Sequence, residues 1–165
     1  MAHVGRWMPA WLNRQAVVHS LRTAMAGTVS LLVARLFRLP ESYWAAVTTL
    51  VVMQSTLGAA WTVSRQRFAG TALGAAMGAL LAGDFGMNLF AFTAGVFVEG
   101  LICAALRLDR VAYRYSGITL AIVMLIARSS PAAVVAAHRF VEVSVGIAVG
   151  LLLTLAWPER EVPAP

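Results

Sequence analysis

The chain has 165 residues, of which 60% are hydrophobic and only 12% charged, with a mean hydropathy of +0.78. Soluble domains carry about 25% charged residues, so this composition excludes a water-solvated globular domain and requires lipid as the solvent. The formal charge of +6 comes from 13 arginines set singly or in pairs between apolar runs; that spacing fits membrane anchoring and excludes the clustered basic face of a nucleic-acid binder.

Residues 1–19 read as a cytoplasmic interfacial segment, because Arg6 and Arg14 are interleaved with Trp7 and Trp11, a mix suited to a helix lying at the membrane surface. Ala24-Met25-Ala26 has the small-x-small form of a cleavage site. No uninterrupted apolar stretch precedes it, so no cleavable leader is expected. Six apolar stretches follow, at about 20–38, 43–61, 67–83, 86–105, 112–128 and 138–157, each close to the roughly 20 residues a membrane helix needs. They predict an all-α bundle of six transmembrane helices over 20–158, with 159–165 as a short cytoplasmic tail. Leu39-Pro40-Glu41-Ser42 and Gly83-Asp84-Phe85-Gly86 read as tight turns, and Leu108-Asp109-Arg110 as a charged loop. Ser130-Pro131 carries the signature of a helix start, and Trp157-Pro158 closes the last helix. The roughly ten-residue alternation of a membrane β-barrel is absent from the sequence.

Orientation follows from the arginines. With the N-terminus inside, nine lie on the inner side (Arg6, Arg14, Arg22, Arg65, Arg67, Arg107, Arg110, Arg114 and Arg160) and four on the outer (Arg35, Arg38, Arg128 and Arg139). That bias puts both ends in the cytoplasm.

Small residues recur four apart at Gly70, Gly74 and Gly78, and again at Gly146 and Gly150. Such a stripe lets helices approach closely, either inside the bundle or at a subunit interface or pore. Arg35, Glu99, Arg139 and Glu142 fall within or beside apolar runs, where a charge is costly unless it snorkels or faces a polar cavity. Glu99 is eight residues from Arg107, about 12 Å of helix, too deep for a short side chain to reach the interface. It is a candidate for proton coupling, or else an internal partner for an arginine. Arg139 and Glu142 share a helix face with Gly146 and Gly150, either as a local ion pair or as an anion-attracting arginine held at the mouth of a pathway. Cys103 reads as a small buried hydrophobe. The three histidines show no metal-ligand spacing, no catalytic motif stands out, and no cofactor is expected.

The run Leu39-Pro40-Glu41-Ser42-Tyr43-Trp44-Ala45-Ala46-Val47-Thr48 resembles the Leu-Pro-x-x-Tyr-Trp-Ala-x-x-Thr stretch of the fusaric-acid-resistance-like membrane proteins. These are grouped with the aromatic acid exporters and are distantly similar to plant aluminium-activated malate channels. The likeness continues through Val52-Met53-Gln54 and Gly58-Ala59 to Arg67-Phe68-Ala69-Gly70-Thr71-Ala72-Leu73-Gly74, similar to the family's Arg-x-x-Gly-Thr-x-x-Gly. It ends with Arg139, Gly146 and Trp157-Pro158. The resemblance implies a six-helix unit in the bacterial inner membrane, working as a homodimer and moving small organic, even aromatic, acid anions. Family members carry a cytoplasmic domain or a second six-helix half after the Trp-Pro; this chain reads as a single six-helix unit. Val63 stands where many members have a Lys or Arg.

Taken with the residues, this makes a transporter or channel subunit the leading expectation. Arg35, Arg67 and Arg139 would attract the anion, Gln54 would offer a polar contact, Glu142 would hold Arg139, and Glu99 would couple protons. The rival from another class is a non-transporting structural or assembly subunit with a sealed interior.

Overall fold

A computed structural model describes residues 14–54, 56–126 and 130–158. Of the interfacial segment expected over 1–19, residues 1–13 lie outside them and 14–19 form the first turns of α1; the tail from 159 and Arg128 also lie outside. Among the described residues the chain forms six helices: α1 (Arg14–Leu36), α2 (Tyr43–Val52), α3 (Leu57–Phe85), α4 (Leu89–Ala105), α5 (Arg110–Leu125) and α6 (Ala132–Ala156). The apolar parts of α1, α3 and α6 are each long enough to cross a membrane, which makes this a multi-pass membrane protein.

Two predicted boundaries need correction. The apolar run 43–61 is not one helix. The chain leaves α2 at Met53 in extended backbone, and α3 begins at Leu57, where the Thr56 hydroxyl accepts from the Ala59 amide at 3.2 Å. A single capping hydroxyl satisfies one orphan amide of the new helix and scarcely alters the hydropathy, so the break is silent in an apolar scan. In consequence α2 is only about 15 Å long, whereas α3 extends about 43 Å and takes in the polar stretch 62–66. The last helix starts at Ala132 rather than 138, directly after Pro131 at its N-cap position. Arg139 therefore sits two turns inside the helix instead of at its mouth.

Arg22 is a further correction. Expected in an inner loop, it is buried to 1% exposure. It donates to the Trp157 carbonyl at 2.8 Å and the Gln54 carbonyl at 2.5 Å. Both carbonyls lie just past helix C-termini, where backbone acceptors lack intrahelical donors. One guanidinium thus ties α1 to the ends of α2 and α6.

The glycine stripes set the packing. Gly70, Gly74 and Gly78 of α3 face Ala112, Ser116 with Thr119, and Val123 of α5, so these helices run parallel in close contact. Gly146 and Gly150 of α6 face Ala45 with Thr48 and Thr49 with Val52 of α2, again parallel. Between the two pairs α3 and α6 cross antiparallel: Val63 packs against the cluster of Val52, Val143 and Ile147, Phe68 meets Phe140, and Ala75 shares a cluster with Val135 and Ala136. The α3 stripe therefore packs inside this chain, against α5. A Cβ at Gly74 would stand 2.8 Å from the Thr119 Cβ and closer still to the Ser116 carbonyl oxygen. Gly74→Ala is expected to cost about 1–3 kcal/mol, read as a lowered thermal midpoint in detergent. Gly117→Ala, with open space at its Cβ, should leave the midpoint unchanged or raise it.

The packing order maps onto itself when α1, α2 and α3 are exchanged for α4, α5 and α6. α1 lies on α2 as α4 lies on α5; α3 rests on α5 as α6 rests on α2; α1 touches α6 as α4 touches α3. α1 and α4 even stop the same way. Leu39 N–H reaches Ala34 C=O at 3.1 Å and Arg38 N–H reaches Arg35 C=O at 2.9 Å. Likewise Leu108 N–H reaches Cys103 C=O at 2.8 Å and Arg107 N–H reaches Ala104 C=O at 3.1 Å. Each is a Schellman turn with an arginine at the left-handed position, φ 53° in both, where glycine is usual. With three helices per copy and α3 antiparallel to α6, the chain is an inverted-topology repeat.

Candidate functional site

The two repeats bring two arginines to the middle of the molecule. Arg67 of α3 and Arg139 of α6 are followed by Phe68 and Phe140, whose rings meet at 5.0 Å. Because these phenylalanines are equivalent under the exchange, their contact marks the pseudo-twofold axis. The arginine environments are equivalent as well. Arg139 lies over the Trp44 ring of α2 at 4.3 Å, and Arg67 over the Tyr115 ring of α5 at 4.9 Å. Both are buried, at 2% and 8% exposure. Arg67 also donates from Nε and Nη2 to the Thr48 hydroxyl at 3.2 and 3.0 Å. Trp44 and Thr48 are one helical turn apart, so α2 presents one face to both guanidiniums.

Beyond this common plan the two sites differ. In α6 the position matching Gly70 is Glu142, whose Oε2 lies 3.3 Å from Arg139 Nη1. Glu142 Oε1 accepts the Glu41 backbone amide at 2.9 Å, and the Glu41 carboxylate bonds Arg139 Nη2. The α1–α2 turn is thereby seated on α6. The equivalent α4–α5 turn is held to α3 in another way. Asp109 accepts from the Gln66 side chain at 2.7 Å in an exposed bond, and a cavity of about 550 Å³ opens between this turn, α3 and α6. Trp61, Arg65, Gln66, Phe68, Arg107 and Asp109 are among its walls. Phe68 of the central aromatic pair lines this cavity.

The remaining sequence candidates are placed apart from this pair. Arg35 is exposed at the end of α1. Gln54 serves through its carbonyl as an acceptor for Arg22, with its side-chain amide turned back to Val51 O at 3.2 Å. Glu99 is fully buried on α4, with the Ser116 hydroxyl of α5 beside it. Cys103 is buried one turn on. Sequence reasoning missed Glu41, Trp44, Thr48 and Tyr115. The signal that leads to them is Arg-Phe-x5-Gly-x3-Gly, present once at 67–78 and again at 139–150, which pairs the two arginines and thereby their aromatic partners.

Chemically, a guanidinium backed by an aromatic ring offers a planar fork to a carboxylate, and two bonds from one fork are stronger and more selective than a point charge. Two such forks flank an aromatic pair at the contact between inverted repeats.

The chain is 31% identical over 150 residues to the inner membrane protein YeeA of Escherichia coli (strain K12), an alignment covering 87% of this chain and 42% of that protein. The chain therefore spans less than half the length of this relative. No solved structure matches it. Residues 24–153 match the family described as fusaric acid resistance protein-like, a span holding both arginines, both glycine stripes and the α1–α2 turn. This chain belongs to the fusaric acid resistance protein-like family.

Proposed function

We propose that the chain is a transporter or channel subunit of the inner membrane that moves small organic acid anions, aromatic ones among them. The observation that carries this reading is the pair of buried, ring-backed arginines astride the Phe68–Phe140 contact. In secondary transporters built from inverted repeats, the substrate sits at the repeat interface near the bilayer midplane. Arg67 and Arg139 are the anion ligands in this reading, and Glu142 orients Arg139. The cavity at Arg65 and Arg107 is the vestibule on one side. Glu99, buried on the α4–α5 contact, is the proton-coupling group. All six helices cross or enter the bilayer, with both ends in the cytoplasm, the orientation the arginine bias favours, and two copies assemble as a homodimer. The shortness of α2 fits a helix that lines a cavity rather than facing lipid along its whole length.

The test is flux into proteoliposomes of the purified chain. Phthalate and succinate are suitable probes, because their double charge prevents passive diffusion through lipid. Uptake of phthalate well above empty vesicles is expected, with succinate slower for want of a ring to lie on Phe68 and Phe140. Rates equal to empty vesicles for both anions would reject transport and return the chain to the structural-subunit alternative.

A further inference from the structure

We propose that Glu41 is a tethered carboxylate that occupies the Arg139 anion site and latches the α1–α2 turn shut, so that a carboxylate ligand binds Arg139 only by exchanging with it. The inference rests on the anion-site reading above and adds a residue and a gate to it. Glu41 lies on the turn joining α1 and α2, not on a helix, and it holds that turn to α6 at two points. Its carboxylate takes the Arg139 guanidinium, and its backbone amide donates to Glu142 at 2.9 Å.

Of the three side chains, Arg139 and Glu142 are 2% and 1% exposed while Glu41 is 21% exposed. Solvent, and a solute with it, thus meets Glu41 first. When Glu41 leaves, Arg139 keeps the Trp44 ring beneath it and Glu142 beside it, so the guanidinium stays aimed. A ligand carboxylate would make the bond that Glu41 now makes. Latching and ligand binding are therefore mutually exclusive at one fork.

The inverted repeat shows a counterpart turn held in a different way. At the matching turn, Gly70 stands where Glu142 receives the turn's amide, α5 packs directly on that glycine through the Ala112 carbonyl, and the turn is tied to α3 by the exposed Gln66–Asp109 bond at the wall of the cavity. The equivalent turns are thus held by different groups, a largely buried charge cluster in one repeat and an exposed polar bond in the other. Inverted repeats expose a central site to each side alternately by moving one repeat against the other, and an exchangeable carboxylate at one turn would let a ligand bias that motion.

The experiment uses the full chain in lipid nanodiscs, where both faces are accessible, with Ser42→Cys as a reporter in a Cys103→Ala background. Glu41→Gln keeps the shape and removes the charge. Loss of a charge-assisted bond predicts labelling of the reporter by a polar maleimide at least about tenfold faster, and phthalate binding about tenfold tighter. In the chain with Glu41 intact, saturating phthalate should itself speed labelling. Glu41→Asp, which draws the charge back by one methylene, should fall between and serves if the glutamine variant does not fold. Phthalate binding and labelling both unchanged in folded Glu41→Gln overturn the latch and leave the anion site standing. Absence of phthalate binding with and without Glu41 overturns the site and the latch together.

Discussion

Arg139→Gln is expected to cut phthalate flux at least about tenfold while the protein still inserts and purifies, because glutamine can neither neutralise the carboxylate nor offer the guanidinium fork. Arg139→Lys should recover only part of the rate, since a point charge restores attraction but not two-pronged geometry. The substitution also leaves Glu41 and Glu142 facing one another without their shared cation, and removing one partner from a buried ion pair can cost about 3–5 kcal/mol. The control is therefore Arg139→Gln combined with Glu41→Gln, which relieves that repulsion. If stability returns in the double variant and flux does not, the loss belongs to ligand binding. Flux at the normal rate in either variant would reduce Arg139 to a structural partner of Glu41 and Glu142.

The second large effect is on folding. Arg22→Leu should lower stability by at least about 3 kcal/mol, because two hydrogen bonds from a charged donor, each worth roughly 1.5–3 kcal/mol, vanish at once. Their acceptors, the carbonyls of Gln54 and Trp157, would face a leucine at the point where α2 and α6 end. Backbone acceptors without partners in an apolar surrounding are expensive. The expected readout is a strongly reduced folded yield, and a thermal midpoint in detergent, followed by tryptophan fluorescence, well below that of the unaltered chain. Arg22→Lys, with donors but a shorter reach to two carbonyls, should lie in between. An unaltered midpoint in Arg22→Leu would mean that α1 is held by packing alone, through contacts such as Gly27 on Leu50.

What the sequence determined by itself is the solvent, the element type and the close-packing faces. Charge scarcity demanded lipid, and backbone hydrogen bonding in lipid demanded helices. The four-residue glycine spacings at 70–78 and 146–150 marked the faces where helices touch, since in a membrane close approach depends on small side chains. Arg139 and Glu142 were legible as functional candidates because a charge in an apolar run must find a partner, and Arg67 through the family resemblance of the run 67–74. Only the tertiary structure decided what those partners are. Thr56 cuts the run 43–61 with one hydroxyl that hydropathy cannot register, and that cut turns the face carrying Trp44 and Thr48 toward the two arginines. Arg22 looked like an interfacial anchor because nothing local distinguishes it from one; its acceptors are 32 and 135 residues away along the chain. Glu41 lay within the quoted motif, yet its role depends on α6 bringing Arg139 and Glu142 beneath a turn about 100 residues earlier. The repeated Arg-Phe-x5-Gly-x3-Gly was present in the sequence throughout, but its meaning as a symmetry axis comes from Phe68 and Phe140 meeting. Long-range contact between equivalent residues is a property of the fold, because local propensity and periodicity act over a few turns and carry no information about which distant face will be opposite.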